Sequence, residues 1–173
     1  DRFREYLASI GILPGIKVDK GAKDLSCHPN EKITEGLDGL RDRLAAYYEN
    51  GAKFCKWRAV ITIANDIPSD ACIESNMNAL ARYASLCQEN NLVPIVEPEV
   101  LINGAHSIDE CDEVTRKSLS SLFSHLKMFN VYLPGTVLKP SMVISGQEND
   151  SRASYEEVAS KTISCLKEFV PND

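Results

Sequence analysis

Charged residues interrupt four short runs whose other residues are typical of buried β-strands. The charged residues are Lys17 and Asp19 in the first run, Lys56 and Arg58 in the second, Glu97 and Glu99 in the third, and Lys139 in the fourth. Residues two apart on a strand share one face, so the members of each pair lie side by side, whereas Lys139 is unpaired. A buried charge needs a partner or a charged ligand, because leaving it unpaired costs free energy. The four runs together therefore predict an active site.

A lysine near carboxylates is suited to imine chemistry. A lysine amine attacks a carbonyl only when it is neutral, and desolvation or neighbouring cations favour that state. Lys139 fits this description, since it lies in an apolar run and we expect Lys56 and Arg58 nearby. Carbon–carbon cleavage beside the imine needs a carboxyl group that carries protons. Glu97 and Glu99 share a face, so we expect the pKa of one of them to be raised, leaving one acid and one base.

The charged pairs also have plain structural interpretations. Lys17 and Asp19 alone would be an ion pair at a strand end, and Glu97 and Glu99 alone would be a solvated edge. Two cations on one face repel each other, which makes the second run harder to explain as structure. The recurrence of charge in four successive runs favours a site over these interpretations.

Composition limits the function further. The chain has 173 residues, 43% of them hydrophobic, and a formal net charge of −6. This length suits one globular domain, and an acidic surface argues against nucleic acid as a partner, since phosphate backbones attract basic surfaces. No apolar stretch reaches the roughly 20 residues that span a bilayer, and the charged start of the chain does not resemble a signal peptide. We therefore expect a cytoplasmic protein without a membrane partner.

Cysteine and histidine are not arranged as metal ligands. The six cysteines form no C-x-x-C pair, and most lie within predicted strands or helices, so we expect them to be buried reduced thiols. The three histidines are scattered along the chain, without the spacing of a zinc site. The sequence therefore argues against a zinc or iron site, and we expect no cofactor.

Helical patterns separate the four strand runs. The spacing of apolar residues predicts helices over residues 36–50, 69–91, 107–130 and from Ser154 to about 170, and the tail of another helix over 3–10. Alternating strands and helices of these lengths indicate βαβ units and a parallel sheet. We expect an α/β fold with about four consecutive strand–helix units of a (β/α)8 barrel, in one partial domain over 1–173. Charges at the carboxyl ends of such strands favour catalysis, because barrel active sites lie there.

Six motifs resemble those of class I fructose-bisphosphate aldolase in content, order and separation. They are GIKVDKG at 15–21, GLDGL at 36–40, KWR at 56–58, LARYA at 80–84, VPIVEPE at 93–99 and LKPSM at 138–142. The resemblance covers essentially the whole chain and is highly specific. It implies a (β/α)8 barrel, or TIM barrel, that uses a lysine Schiff base and no metal.

The resemblance also implies roles for the residues at these positions. Lys139 matches the lysine that attacks the C2 carbonyl of the ketose, and Glu97 matches the acid/base that dehydrates the carbinolamine and moves protons during cleavage. Lys56 matches the lysine that stabilises developing negative charge. Glu99 matches a neighbour of the acid/base that positions groups and tunes charge.

The remaining matches concern the substrate and its handling. Arg58 and Lys17 match cations that contact substrate phosphate or hydroxyl groups, with Asp19, Ser141 and Trp57 as support around them. For Trp57 we favour a purely structural role. The reaction implied is reversible cleavage of fructose 1,6-bisphosphate to dihydroxyacetone phosphate and glyceraldehyde 3-phosphate, in glycolysis and gluconeogenesis. The family implies sugar phosphates as ligands and a homotetramer.

Two loops depart from the family pattern, and much of the barrel is not matched. Residues 144–150 lack a Thr-Pro-Gly that many members carry, and residues 22–28 are unusual; we expect both segments to be loops. The first two and last two strands of the family have no counterpart, so we expect little or no activity from this chain alone. Three alternatives stay open: another Schiff-base sugar-phosphate aldolase, a metal-dependent aldolase, and a truncated non-catalytic product that binds a partner or modulates oligomers.

Overall fold

A computed structural model describes residues 2–171 of the chain. The helices are α1 (Arg2–Ser9), α2 (Leu40–Glu49), α3 (Asp70–Glu89), α4 (Ile108–Met128) and α5 (Tyr155–Phe169). The strands are β1 (Gly15–Lys17), β2 (Ala22–Asp24), β3 (Lys32–Thr34), β4 (Phe54–Ile61), β5 (Val93–Val100) and β6 (Val137–Leu138), and a short 3-10 helix covers Leu133–Gly135. None of the helices in residues 2–171 is long and apolar enough to span a bilayer.

Four parallel strands form the main sheet, in the order β1-β4-β5-β6. Each of these strands is followed along the chain by a helix, so the described residues contain four strand–helix units. This arrangement confirms the expected parallel α/β architecture. The two long strands, β4 and β5, pair over their full eight residues, whereas the outer strands are short.

Alternation along β4 assigns each face of the sheet a different role. Its odd-numbered residues are buried and its even-numbered residues are partly exposed, as period-2 side-chain geometry requires. Trp57, on the buried face, is fully covered and lies with its ring centroid 5.5 Å from that of Tyr83 on α3. The core thus lies between the sheet and helices α3 and α4, which leaves the charged residues Lys56 and Arg58 on the other face.

The predicted helices form, with shifts at their ends that follow from capping. Ser107 caps α4 in a capping box: its hydroxyl accepts from the Glu110 N–H at 3.2 Å, and Glu110 accepts from the Ser107 N–H at 2.6 Å. The helix predicted from residue 36 begins only at Leu40. The residues Gly36 and Gly39 have φ values of 134° and 65°, which a right-handed helix does not allow.

One structural element contradicts the prediction for residues 22–28. Residues 22–24 form β2, which pairs antiparallel with β3 as a small hairpin outside the main sheet. Asn76 of α3 anchors this hairpin, because its side chain accepts from the Thr34 N–H at 3.1 Å and donates to the Lys32 carbonyl at 2.8 Å. The hairpin therefore depends on a contact with a distant helix.

The thiol prediction is correct for five of the six cysteines. Cys55, Cys72, Cys87, Cys111 and Cys165 are free and buried. Cys27 is free but exposed, in the turn of the hairpin. The buried thiols pack as small apolar side chains in the core.

Candidate active site

The strand register brings the charged residues of all four runs onto the uncovered face of the sheet. Lys17 of β1 lies opposite Lys56 of β4, and Arg58 of β4 lies opposite Glu97 of β5. Val96 pairs with Leu138, so Lys139 falls opposite Glu97 one position further along. The parallel strands therefore place the predicted residues in three successive rows across the sheet, with Glu99 in the third row, opposite Val60.

Glu97 is the centre of this cluster. Its side chain is 4% exposed and lies between two lysines that reach it from neighbouring strands: Lys139 Nζ donates to Oε1, and Lys56 Nζ lies 2.6 Å from Oε2. Burial acts to raise the pKa of Glu97, but the hydrogen bonds and charges of the two lysines outweigh it, so that the pKa lies below its usual range. Glu97 is therefore an ionised, buried carboxylate that links two amines.

This arrangement corrects the expectation that Glu97 and Glu99 form a coupled acid–base pair with one raised pKa. Glu99 pairs instead with Arg58, whose Nε donates to Oε2. Each carboxylate thus has cationic partners from the adjacent strands, which lower rather than raise the pKa of Glu97. The two cations of β4 are likewise kept apart, because Lys56 turns to Glu97 while Arg58 turns to Glu99.

Asp19 connects β1 to its neighbour in the sheet, β4. Its side chain is 2% exposed, and its Oδ1 accepts from Lys17 Nζ and from the Gly21 N–H at 3.0 Å. Oδ2 accepts from the Arg58 N–H at 3.3 Å. Gly21, which has a φ of 90°, was not predicted as part of the cluster, although an Asp followed two residues later by Gly is a turn signal that could have indicated it.

Lys139 lies just beyond β6, where the chain leaves the sheet. Its N–H donates to the Val96 carbonyl at 2.9 Å, and two residues later the Ser141 hydroxyl accepts from the Val100 N–H at 3.2 Å. The lysine side chain is 57% exposed, so its amine is accessible from the uncovered face of the sheet. The expected position at a strand end is therefore correct for Lys139.

For β4 the expected position at the strand end is wrong. The strand continues to Ile61, so Lys56 is its third residue of eight and Arg58 its fifth. The apolar residues after Arg58 keep the chain paired with β5 up to Val100. Both cations still face the cluster, because the even-numbered residues of β4 all lie on the uncovered face of the sheet.

The cations of the cluster could bind an anionic ligand. The side chains of Lys17, Lys56 and Arg58 are 53%, 32% and 41% exposed and lie on the same face as Lys139. A polar cleft of about 750 Å³ lies elsewhere, between the hairpin and α3, and none of the seven predicted site residues lines it. Among residues 2–171, no three His, Cys, Asp or Glu side chains group as metal ligands.

Comparison with known proteins gives the family. A family model described as fructose-bisphosphate aldolase class-I matches residues 1–173. The chain belongs to the class I fructose-bisphosphate aldolase family. A probable fructose-bisphosphate aldolase class 1 of Xanthomonas axonopodis pv. citri is 60% identical over 169 residues, which are 98% of this chain and 51% of the relative. The cytosolic fructose-bisphosphate aldolase 4 of Arabidopsis thaliana is 48% identical, over 98% of this chain and 43% of its own length.

A solved structure has the same fold over almost the whole of this chain. Fructose-bisphosphate aldolase of Plasmodium falciparum, in a ternary complex with TRAP and a small-molecule inhibitor, matches with a TM-score of 0.93 at 46% identity. The match covers 96% of this chain and 49% of that one. The chain thus spans about half the length of the curated relatives it matches, in keeping with four strand–helix units of an eight-unit TIM barrel.

Proposed function

We propose that this chain carries the imine-forming half of a class I aldolase active site. The protein it represents would cleave fructose 1,6-bisphosphate reversibly to dihydroxyacetone phosphate and glyceraldehyde 3-phosphate. One observation supports this best: a buried, ionised Glu97 holds the amines of Lys139 and Lys56 together on an accessible face. Such a cluster provides a nucleophilic amine, a proton carrier and a second cation in one place.

Lys139 is the proposed nucleophile. When its ammonium gives a proton to Glu97, the neutral amine attacks C2 of the ketose and forms a carbinolamine. Glu97 then returns that proton to the C2 hydroxyl, which leaves as water as the iminium forms. Glu97, ionised again, takes a proton from the C4 hydroxyl, and the C3–C4 bond breaks to release the aldehyde. The bond electrons move into the iminium to give an enamine, and Glu97 keeps the proton for return to C3. Reprotonation at C3 and hydrolysis free dihydroxyacetone phosphate and restore the lysine.

The other residues of the cluster would stabilise charge and hold the ligand. Lys56 contacts the opposite oxygen of Glu97, and in this proposal it would stabilise the oxyanion that develops at C2. Arg58 and Lys17 present partly exposed cations to substrate phosphate or hydroxyl groups. Asp19 and Glu99 would keep these two cations oriented, through the contacts Asp19–Lys17 and Glu99–Arg58.

The ligands, the assembly and the location of the protein belong to the same proposal. The relatives are named as aldolases of fructose bisphosphate, and we propose sugar phosphates as the small-molecule partners of this chain too. We further propose a homotetramer for the full-length protein and a cytoplasmic location, as one relative is named cytosolic. Size-exclusion chromatography with light scattering and cell fractionation test these two points.

Borohydride trapping tests the chemistry. The 173-residue chain is mixed with dihydroxyacetone phosphate and sodium borohydride, and the adduct is located by peptide mapping. We expect it at Lys139, and we expect Lys139→Ala to abolish it. Lys117→Ala is the matched control, because Lys117 is a half-exposed lysine of α4 that pairs with Asp70 away from the cluster. An adduct at another lysine contradicts the assignment of Lys139. The absence of an adduct at any lysine also contradicts it and favours a non-catalytic binding product.

Turnover is a separate measurement. We expect little or no cleavage of fructose 1,6-bisphosphate by this chain alone, because it spans about half the length of its relatives. Normal turnover would refute that expectation without affecting the assignment of Lys139. Trapping with other phosphorylated ketoses and aldoses distinguishes this substrate from that of another Schiff-base aldolase.

A further inference from the structure

The loops that follow β5 and β6 are fastened together by five hydrogen bonds that run in one direction. Residues 146–149 donate all five, and carbonyls of residues 102–106 accept them. The bonds are Gly146 N–H to His106 O at 2.9 Å, Gln147 N–H to Ile102 O at 2.8 Å, Glu148 N–H to Gly104 O at 2.9 Å, and Asn149 Nδ2 to Ala105 O at 2.8 Å and to His106 O at 3.1 Å. We call these two segments the loop latch.

The two segments of the loop latch are in close contact. A Cβ on Gly146 would lie 2.2 Å from the Gly104 carbonyl oxygen, so only glycine fits without a shift of the backbone. His106 is 5% exposed, and its buried ring interacts with the backbone of Ile144. Burial lowers the pKa of His106, against the opposing charge of Glu110, and a neutral imidazole packs at the base of the latch.

The loop latch matters because β6 is too short to fix Lys139 firmly. The strand has two residues, and the Lys139 N–H bond to Val96 O at 2.9 Å is the last bond of its ladder. Glu97, in contrast, lies within an eight-residue strand that is paired along its length. The distance between the Lys139 amine and the Glu97 carboxylate therefore depends on what holds the chain after β6. Beyond the Ser141 hydroxyl, the Val143 N–H donates to Thr162 Oγ1 of α5 at 3.0 Å and the Ile144 N–H donates to Cys111 Sγ of α4 at 3.5 Å. The loop latch then makes the next bonds between the two loops themselves.

We propose that the loop latch positions Lys139 against Glu97 and that Asn149 is its principal positioning residue. Asn149 contributes two of the five bonds through a single side chain. Its Oδ1 also accepts from the Ser151 N–H at 2.8 Å, which orients the side-chain amide so that Nδ2 faces the carbonyls of Ala105 and His106. The proposal rests on the proposed function, because the position of the amine affects the rate only if Lys139 forms the imine. A displacement of about 1 Å at reacting groups can slow a reaction about a hundredfold.

Two variants of Asn149 test the loop latch against a matched control. Asn149→Ala removes both donated bonds, and Asn149→Asp removes them while keeping the size and the Oδ1 acceptor. Asn90→Ala is the control, since Asn90 Nδ2 donates to the Leu86 carbonyl at 2.9 Å at the opposite end of the sheet. The measurements are amide hydrogen exchange at Lys139 by NMR, and the rate of borohydride-trapped adduct over a range of dihydroxyacetone phosphate concentrations.

In both Asn149 variants we expect exchange of the Lys139 amide to become about thirtyfold faster, because each variant loses two neutral hydrogen bonds of the loop latch. We expect the trapping rate at saturation to fall about tenfold with little change in the half-saturating concentration. Asn90→Ala should change neither. Unchanged exchange overturns the proposal, and so does faster exchange with an unchanged trapping rate. If the wild-type chain forms no adduct, the proposed function fails, and exchange at Lys139 alone decides whether the loop latch holds this residue.

Discussion

Replacing Glu97 by glutamine should destabilise the fold by an amount that the structure allows us to estimate. The change leaves Lys56 and Lys139 around a neutral amide in a place that is 4% exposed. A hydrogen bond to a charged group contributes about 1.5–3 kcal/mol, but the lysines are 32% and 57% exposed and water screens them. We expect a net loss of about 2 kcal/mol, which lowers the Tm of a domain of this length by about 4–8 °C.

The pH dependence gives the more specific test. The pKa of Glu97 is lower in the folded chain than the ordinary glutamate value of 4.5, so ionised Glu97 stabilises the fold above that value. This stabilisation is lost as the pH falls through the folded pKa, because protonated Glu97 resembles glutamine. The difference in unfolding free energy between the wild type and Glu97→Gln should therefore be full at pH 7 and should disappear in acid, as the pH falls through the lowered pKa of Glu97.

Urea denaturation at a series of pH values measures this difference directly. Glu89→Gln is the matched control, because Glu89 also forms a carboxylate–cation pair, at 2.6 Å from Arg41, but both side chains are exposed. We expect no measurable change for the control at any pH. Equal stability of Glu97→Gln and the wild type at pH 7, or a difference that persists in acid, would refute the view of Glu97 as a buried anion held by two lysines.

Three further predictions concern the core, a helix end and the thiols. Trp57→Ala should lower the unfolding free energy in urea by about 3–5 kcal/mol, since the indole is fully buried against Tyr83; a loss below about 1 kcal/mol contradicts this packing. Ser107→Ala should lower the free energy of unfolding, measured by thermal denaturation, by about 1 kcal/mol, whereas Ser107→Thr should keep most of the wild-type stability because it keeps the capping hydroxyl. Equal stability of Ser107→Ala and the wild type contradicts a role for that hydroxyl. At pH 8 only the exposed Cys27 should react quickly with a thiol reagent, because burial raises the pKa of Cys72 to about 11; rapid labelling of more than one thiol contradicts this.

The sequence was sufficient to predict the long elements and the residues of the cluster. Strong apolar periodicity identifies α3, α4 and the two long strands, and β4 alternates between buried and half-buried residues as its sequence indicates. The same alternation places Lys56, Arg58, Glu97 and Glu99 on one face of the sheet. These features follow from the local geometry of strands and helices, which depends little on distant parts of the chain.

The partners within the cluster could not be predicted in the same way. Face-sharing within one strand suggested that Glu97 and Glu99 interact, but the contacts of Glu97 come from the strands on either side, β4 and β6. Which residues meet across strands depends on register, and the short sequence of β6 does not specify its own register. The β2–β3 hairpin escaped prediction for a related reason, since Asn76 of a distant helix holds it.

Local charge would allow this acidic chain to attract the anionic substrate that we propose for it. The chain has a net charge of −6, yet the cluster contains four cations and three carboxylates, an excess of one positive charge. The Debye length at physiological ionic strength is about 8 Å, so acidic residues elsewhere on the surface are largely screened from a ligand at the cluster. The carboxylates Asp19 and Glu97 are 2% and 4% exposed, whereas Lys17 and Lys139 are more than half exposed. An approaching phosphate therefore meets the lysines first, and the anions that hold them in place lie behind.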